Sequence, residues 1–489
     1  MHGCIQSWLA WTLAIVVACG AATVARGQEN RTLPASADAG YSTAGDVNRT
    51  PSTAPAASNY LISENLNADD ASLTARLADV EKALKKIDDK AKEDKKKAAG
   101  MMTATPSGRI HLDTASFSQD AIDKARYNEQ NGVEFRTARL AIYGGGFNVI
   151  KYQIEYDFAS VASTSTLSGA TVSTSTRLRC KDTYFAITDL PILQNIQLGH
   201  FKEPYSLDEL TSDNYITFME RNTASLAMAP GRHIGVMAFG NTPSENATYA
   251  IGLFSERDDE GNIVQSDNMG SSVTMRGSWL PWYDEATDGR GLLHTALAYS
   301  RRDPYNDRFE LKYRPESHLA KENALTLTDV SGRDEIGAEV ATVYGPLSFQ
   351  TEYYVNYIDR TGHPNCKTQG AYAYVSYFLT GEHRTYDRKR GYFGRVKPFE
   401  NFFRVRDENG NVYMGKGAWE LKYRYSWFDG YDDGLLNWQT CGDHTLGVNW
   451  YLNPYTRFMA EYIHSGINQN AGAGVGDLNI FQMRAQIDF

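Results

Sequence analysis

From Phe481 to the end of the chain, apolar side chains fall on every second position: Phe481, Met483, Ala485, Ile487 and Phe489 alternate with Gln482, Arg484, Gln486 and Asp488. A repeat of two is the signature of a strand with one greasy and one wet face. The same alternation runs through Ile150, Tyr152, Ile154, Tyr156 and Phe158, through Leu347, Phe349, Thr351 and Tyr353, and through Trp419, Leu421, Tyr423, Tyr425 and Trp427. In a water-soluble sandwich such outward aromatic faces would form an aggregation-prone surface. A bilayer satisfies them, and within it only helices or closed sheets can pair every backbone group. The pattern therefore predicts an all-β, antiparallel transmembrane barrel over 105–489.

Composition agrees with strands that meet lipid on alternate residues. Mean hydropathy is negative, yet the chain holds 30 Tyr, 20 Phe and 8 Trp, enough for lipid-facing bands and interfacial girdles. Only 5–25 is apolar enough to resemble a helix, and the small residues of Ala25-Arg26-Gly27 mark 1–27 as a signal peptide cleaved before Gln28. A retained anchor helix, or lipidation at Cys19, is the alternative. Residues 28–59, rich in Ala, Ser, Thr, Pro and Gly, read as a disordered linker. Leu66, Leu73, Leu77, Val80, Leu84, Ile87 and Ala91 then follow three-four spacing, which predicts a short coiled coil in 60–99. A helix this short is marginal alone, so the seam is expected to need partner chains, with a lone solvated helix as the alternative.

Short turns, Gly345-Pro346 and Asn453-Pro454, contrast with long polar stretches at 258–268 and 387–416, expected as loops at the other end of the barrel. About 17 strand candidates can be counted, and an even number must hold if both barrel ends lie on one side of the membrane, so 16 or 18 is expected. Cys180, Cys366 and Cys441 suggest neither a disulfide framework nor a metal site. A formal charge of −10 argues against a general nucleic-acid partner. Gly144-Gly145-Gly146 lacks the spacing and following helix of a nucleotide loop and reads as a turn or bulge. Asp432-Asp433 reads as a solvated acidic turn before it reads as a calcium site. With no nucleophile elbow, His-Glu-x-x-His or Cys-x-x-Cys, neither an enzyme nor a cofactor is expected.

Gly199-His-Phe-Lys-Glu-Pro-Tyr-Ser-Leu-Asp-Glu-Leu-Thr-Ser and Tyr215-Ile-Thr-Phe-Met-Glu-Arg221 resemble the phosphate-selective porin O/P family of outer-membrane channels. Val133-Glu-Phe-Arg-Thr-Ala-Arg-Leu140, Arg314-Pro-Glu-Ser-His318, Gly394-Arg-Val-Lys-Pro398 and Leu446-Gly-Val-Asn-Trp-Tyr-Leu-Asn-Pro454 continue the likeness in family order. The resemblance implies a homotrimer of sixteen-stranded barrels in the outer membrane, each narrowed by a third outer loop folded inward, here near 206–231. It also implies passive movement of small anions, phosphate or related oxyanions. Two other roles stay open: a general diffusion pore for small polar solutes, or an outer-membrane anchor whose periplasmic coiled coil touches peptidoglycan.

Oxyanion passage needs cations that replace hydration without trapping the ion, and Arg and Lys suit that task. Lys202, Arg221 and Arg232 are the expected constriction and anion-binding residues, being on or beside the inward loop. By parity, Lys151, Lys312, Arg314, Lys422, Arg424 and Arg484 are expected along the pore wall. Glu155, Asp157, Glu310, Glu352, Glu420 and Asp488 share those faces, so each wall cation is read first as an ion-pair partner and only then as an anion guide. Arg136 and Arg139 have opposite parity, so both reach the lumen only if a bulge intervenes.

Overall fold

The computed structural model describes residues 82, 85, 86, 100–159, 178–256, 269–406, 410–432, 435, 439–469 and 474–489. The expected signal peptide and linker, and nearly all of the coiled coil, lie outside the described residues. Of the first of two units, Met1–Lys86, only Lys82, Lys85 and Lys86 are described, in helical conformation. The second unit, Ile87–Phe489, contains the barrel.

Sixteen antiparallel strands close that barrel, each paired with its neighbours in sequence and the last with the first. They are β1 (Thr105–Gln119), β2 (Gly132–Gly146), β3 (Ile150–Asp157), β4 (Arg179–Leu190), β5 (Gln194–Lys202), β6 (Arg232–Asn241), β7 (Ala247–Phe254) and β8 (Ser271–Tyr283). The circuit continues through β9 (Gly291–Asp303), β10 (Val330–Tyr344), β11 (Leu347–Arg360), β12 (Cys366–Phe378), β13 (Ala418–Asp429), β14 (Gln439–Asn453), β15 (Thr456–Gln469) and β16 (Val475–Asp488). Closure leaves no open edge in the main sheet, as lipid demands. Between expected counts of 16 and 18, the lower is the observed one.

Parity along the strands sorts the two faces as the alternation predicts. Leu421, Tyr423, Tyr425, Phe481 and Ile487 point outward and are exposed, while Glu420, Lys422, Arg424, Gln482 and Arg484 are buried inside. Aromatic side chains crowd the ends of the strands, with Trp419 stacked on Trp450 at 5.0 Å and Trp282 beside Tyr344 at 6.4 Å. Such belts suit the interface where one end of the ring is in lipid and the other is wet. A two-residue turn links β10 to β11, with Gly345 at φ +57°, a conformation that costs glycine little, and Pro346 pre-set for its place. Gly144-Gly145-Gly146 closes β2 rather than forming a turn; a Cβ on Gly144 would stand 1.9 Å from the Thr103 carbonyl oxygen.

Alternating strand direction puts the connections 147–149, 191–193, 242–246, 284–290, 345–346 and 454–455 at one end, together with Thr105 and Phe489. The long connection 379–417 joins β12 to β13 and so lies at this turn end, not among the loops opposite as expected for 387–416. Part of it enters the lumen: Phe393, in the two-residue pairing of Tyr386–Asp387 with Tyr392–Phe393, is buried with Leu207, Leu280, Leu292 and Val343. Length and polarity alone do not fix the end at which a connection lies; the parity of the strands that precede it does.

Among the described residues, two insertions come from the opposite end. Residues 203–231, between β5 and β6, carry the short helices α1 (Leu207–Leu210) and α2 (Thr223–Met228). Ser206 caps the first by accepting from the Glu209 N–H at 3.1 Å, and Asn222 caps the second by accepting from Ser225 at 2.8 Å. Between β9 and β10, Phe309–Tyr313 pairs with Asn323–Leu327 as a hairpin outside the main sheet. Tyr205, Phe218 and Met228 of the first insertion pack with Phe309, Leu311, Tyr313, Leu325 and Leu327 of the second and with Tyr354, Tyr372 and Phe428 of the wall. An apolar core thus forms inside a barrel whose other face meets lipid.

Candidate functional site

The lumenal charges follow from where 203–231 runs. Its backbone is held by the wall: Arg457 donates to the Ile216 oxygen at 2.9 Å, Lys422 and Asn449 to the Thr217 oxygen at 2.9 and 2.8 Å, and Gln486 to the Asn214 oxygen at 3.1 Å. Glu461 accepts the Met219 N–H at 2.7 Å, and Glu352 accepts those of Leu207 and Asp208 at 3.0 and 2.8 Å. These charged and amide side chains satisfy backbone groups that a buried loop would otherwise leave unpaired.

Of the residues expected along the pore wall, Lys422, Arg424 and Arg484 project inward but face the inserts. Lys422 pairs with Glu461 at 2.5 Å, and Arg424 with Glu316 at 2.5 Å while lying 4.0 Å over the Phe218 ring. Arg484 forks onto Asp113 at 2.7 and 2.6 Å and reaches Glu220 at 2.6 Å. Lys151 stands exposed at the start of β3. Lys312 and Arg314 are corrections: Lys312 sits on the exposed side of the inserted hairpin, 3.5 Å from Glu310, and Arg314 follows the first strand of that hairpin and pairs with Glu322 at 3.1 Å. The hairpin has the same period as a wall strand, so alternation alone could not separate the two.

The three residues expected at the constriction are found on or beside the insert, and each is already engaged. Arg221 donates to the carbonyl oxygens of Asp208, Glu209 and Thr211 at 3.0–3.1 Å and pairs with the Glu209 carboxylate at 2.7 Å. Lys202 lies 3.6 Å from that same carboxylate. Arg232 pairs with Asp182 at 2.7 Å.

Sequence reasoning missed the centre of the arrangement. Asp213, on the insert, receives Arg109 Nη1 of β1 at 2.5 Å on one oxygen and Arg139 Nη2 of β2 at 3.1 Å on the other. Arg139 also holds Asp157 at 2.8 Å and Glu155 at 3.2 Å. Arg136 reaches Glu220 through Nε at 2.8 Å and Nη2 at 3.0 Å. Both Arg136 and Arg139 meet lumenal carboxylates because the β1–β2 register skips between His111–Thr137 and Leu112–Phe135, leaving Arg136 as the extra residue of a bulge. Burial disfavours the ionised forms of Asp213 and Glu220, but nearby guanidiniums more than offset it. Arg139 and Arg109 hold Asp213, and Arg136 and Arg484 hold Glu220, well below the usual carboxylate range.

Exposure divides these charges in two. Arg109, Arg136, Asp182, Lys202, Glu209, Asp213, Glu220, Arg221 and Arg232 keep 12–25% of their side-chain surface open. The pairs Lys422–Glu461, Arg424–Glu316 and Arg484–Asp113 keep 5% or less. Water therefore reaches ionised groups on β1, β2, β4–β6 and the insert, while the inward charges of β13 and β16 serve as buried anchors. A partly wet strip of guanidinium and ammonium groups can bind oxyanions briefly, and its alternating carboxylates moderate that attraction.

Comparison with known proteins places this barrel. The family model described as "Phosphate-selective porin O and P" matches residues 106–489. Porin O of Pseudomonas aeruginosa is 27% identical over 408 residues, covering 76% of this chain and 85% of that protein. An uncharacterised protein of Caulobacter vibrioides is 25% identical over 376 residues, 73% of this chain and 68% of its own. Among solved structures, an anion-selective porin from Comamonas acidovorans superposes with a TM-score of 0.47 at 12% identity, covering 79% of this chain and all of the other.

Proposed function

Because this chain belongs to the phosphate-selective porin O and P family, we propose that it is a passive outer-membrane channel for small anions, phosphate or related oxyanions, with no chemical step. The observation that carries the reading is the partly exposed strip of Arg109, Arg136, Lys202, Arg221 and Arg232 beside the inserted segment. Several moderate cationic sites in series let an ion shed water and still leave. Lys151, exposed at the turn end of the wall, supplies a further positive charge on that route. The working unit is a homotrimer, as family likeness implies, with the coiled coil of 60–99 in the periplasm as a stalk that can touch peptidoglycan. Deleting 28–100 should then leave conduction intact. The direct test is chloride current through the reconstituted full-length protein titrated with phosphate. Progressive block is expected, and a current indifferent to phosphate would reject the oxyanion part.

A second reading has its own support. Arg221 and Arg232, like most of the strip, are each matched to a carboxylate, so the narrow zone carries a transverse field more than a net positive charge. A general diffusion pore for small polar solutes would use that field to orient dipoles. In that case neutralising Arg221 and Arg232 alters the solute size cut-off more than the ion preference.

A further inference from the structure

The Arg109–Arg139 pair has the form of an oxyanion site, and a side chain of the chain itself already occupies it. The two Asp213 oxygens take one guanidinium each, at 2.5 and 3.1 Å, in the spacing by which arginines hold carboxylates and phosphates. Asp213 sits on the insert, so it is an anion delivered to strands β1 and β2 by a segment of another part of the chain. Glu155 and Asp157 lie behind the two arginines on β3 and complete the group, with Arg109 3.4 Å from Glu155. The Asp213 side chain keeps 18% of its surface open, so the fork is reached by water.

The charge of Asp213 is not the only hold on this part of the insert. Neighbouring residues are fixed through their own backbone and neutral groups: His111 Nε2 meets Asn214 Oδ1 at 3.2 Å, Gln486 donates to the Asn214 oxygen at 3.1 Å and Arg457 to the Ile216 oxygen at 2.9 Å. Arg457 further donates to the Asp213 carbonyl at 3.4 Å, a contact that any residue at that position would keep. A carboxylate whose stretch of backbone is already anchored by its neighbours, and which fills a two-arginine fork at the wet edge of the lumen, can take a functional role beside its structural one.

We infer that Asp213 is a tethered counter-anion: it competes with permeant oxyanions for Arg109 and Arg139 and so keeps their binding weak enough for release. The inference rests on the anion-channel reading above and names the residue that sets its strength. An incoming oxyanion either displaces the Asp213 carboxylate from one guanidinium or shares it. No bond is made or broken.

The test uses the full-length protein in planar bilayers, comparing wild type with Asp213→Asn, Asp213→Glu, Asp213→Ser and the double variant Arg109→Gln/Asp213→Asn. Asp213→Asn is expected to raise the anion-to-cation permeability ratio and to lower the half-blocking phosphate concentration by roughly three- to tenfold, the scale of one unit charge at a partly solvated site. Asp213→Ser should move both readouts the same way, which keeps the test decisive if the Asn variant assembles poorly. Asp213→Glu should stay near wild type, and the double variant should lose the gain. An unchanged ratio and unchanged phosphate block in both neutral variants, or stronger block in Asp213→Glu, would overturn the inference. Its failure is separable from that of the channel reading, because a cation-preferring wild type rejects the latter whatever the variants do.

Discussion

Single residues in this lumen are decided by partners that are distant in sequence. Lys422 on β13 meets Glu461 on β15 and the Thr217 oxygen of the insert, with neither charged side chain exposed. Removing one member of such a pair strands the other, so Lys422→Ala is expected to cost about 3–5 kcal/mol in reversible unfolding from detergent or lipid. A cost below about 1 kcal/mol would mean that water reaches Glu461. Arg221 makes a contrasting case, since its guanidinium serves three carbonyls of its own insert. Arg221→Gln should therefore make single-channel currents noisier and, by removing one open cation from the strip, also lower the anion preference. Parity alone marks Lys422, Arg424 and Arg484 as inward. It could not show that Glu220 and Glu316 would come to meet them, because those carboxylates arrive on inserts with no local pattern pointing to the wall. Asp213 went unseen for the same reason: one acid in a polar loop carries no signal until the loop is folded into place.

At the scale of elements, three inserts among the described residues narrow the lumen inside the wall. From the turn end, 379–417 is tied down by Arg388 to the Ser244 oxygen at 2.8 Å and to Glu285 at 2.9 Å, and by Arg395 to Asp488. Arg384 lies 3.5 Å over the Phe393 ring and donates to Gln350 at 3.0 Å, holding the inner turn against β11. Excising 386–396 should raise single-channel conductance with the β-sheet circular dichroism unchanged; unaltered conductance would show that this part stays clear of the ion path. The insert 203–231 should also resist acid. Asp213 and Glu220 have depressed pKa values, so their ion pairs contribute fully above the ordinary carboxylate range and are lost only as pH falls through the lower folded-state values. A step in conductance or ion preference that depends on Asp213 and Glu220, one removed by Asp213→Asn and Glu220→Gln, should therefore come only below about pH 4. The same step at higher pH would contradict this. The strands themselves were legible from their period of two, and the inward loop between β5 and β6 was implied by the family resemblance. Placing 379–417 required the correct strand count, and the hairpin around Lys312 required knowing which period-two segments join the main sheet.

For the molecule as a whole, lipid outside and ionised groups inside impose opposite demands on neighbouring residues, and sixteen closed strands meet both. The formal charge of −10 says nothing about the sign felt by a permeant ion, because it sums groups on the whole chain while the described inserts fill part of the lumen with apolar and ion-paired side chains. Selectivity then depends on whether the open guanidinium and ammonium groups outweigh Asp182, Glu209, Asp213 and Glu220 beside them. The reversal potential of the reconstituted protein under a potassium chloride gradient measures that balance directly. An anion-preferring potential is the predicted result; a cation-preferring one would contradict the account.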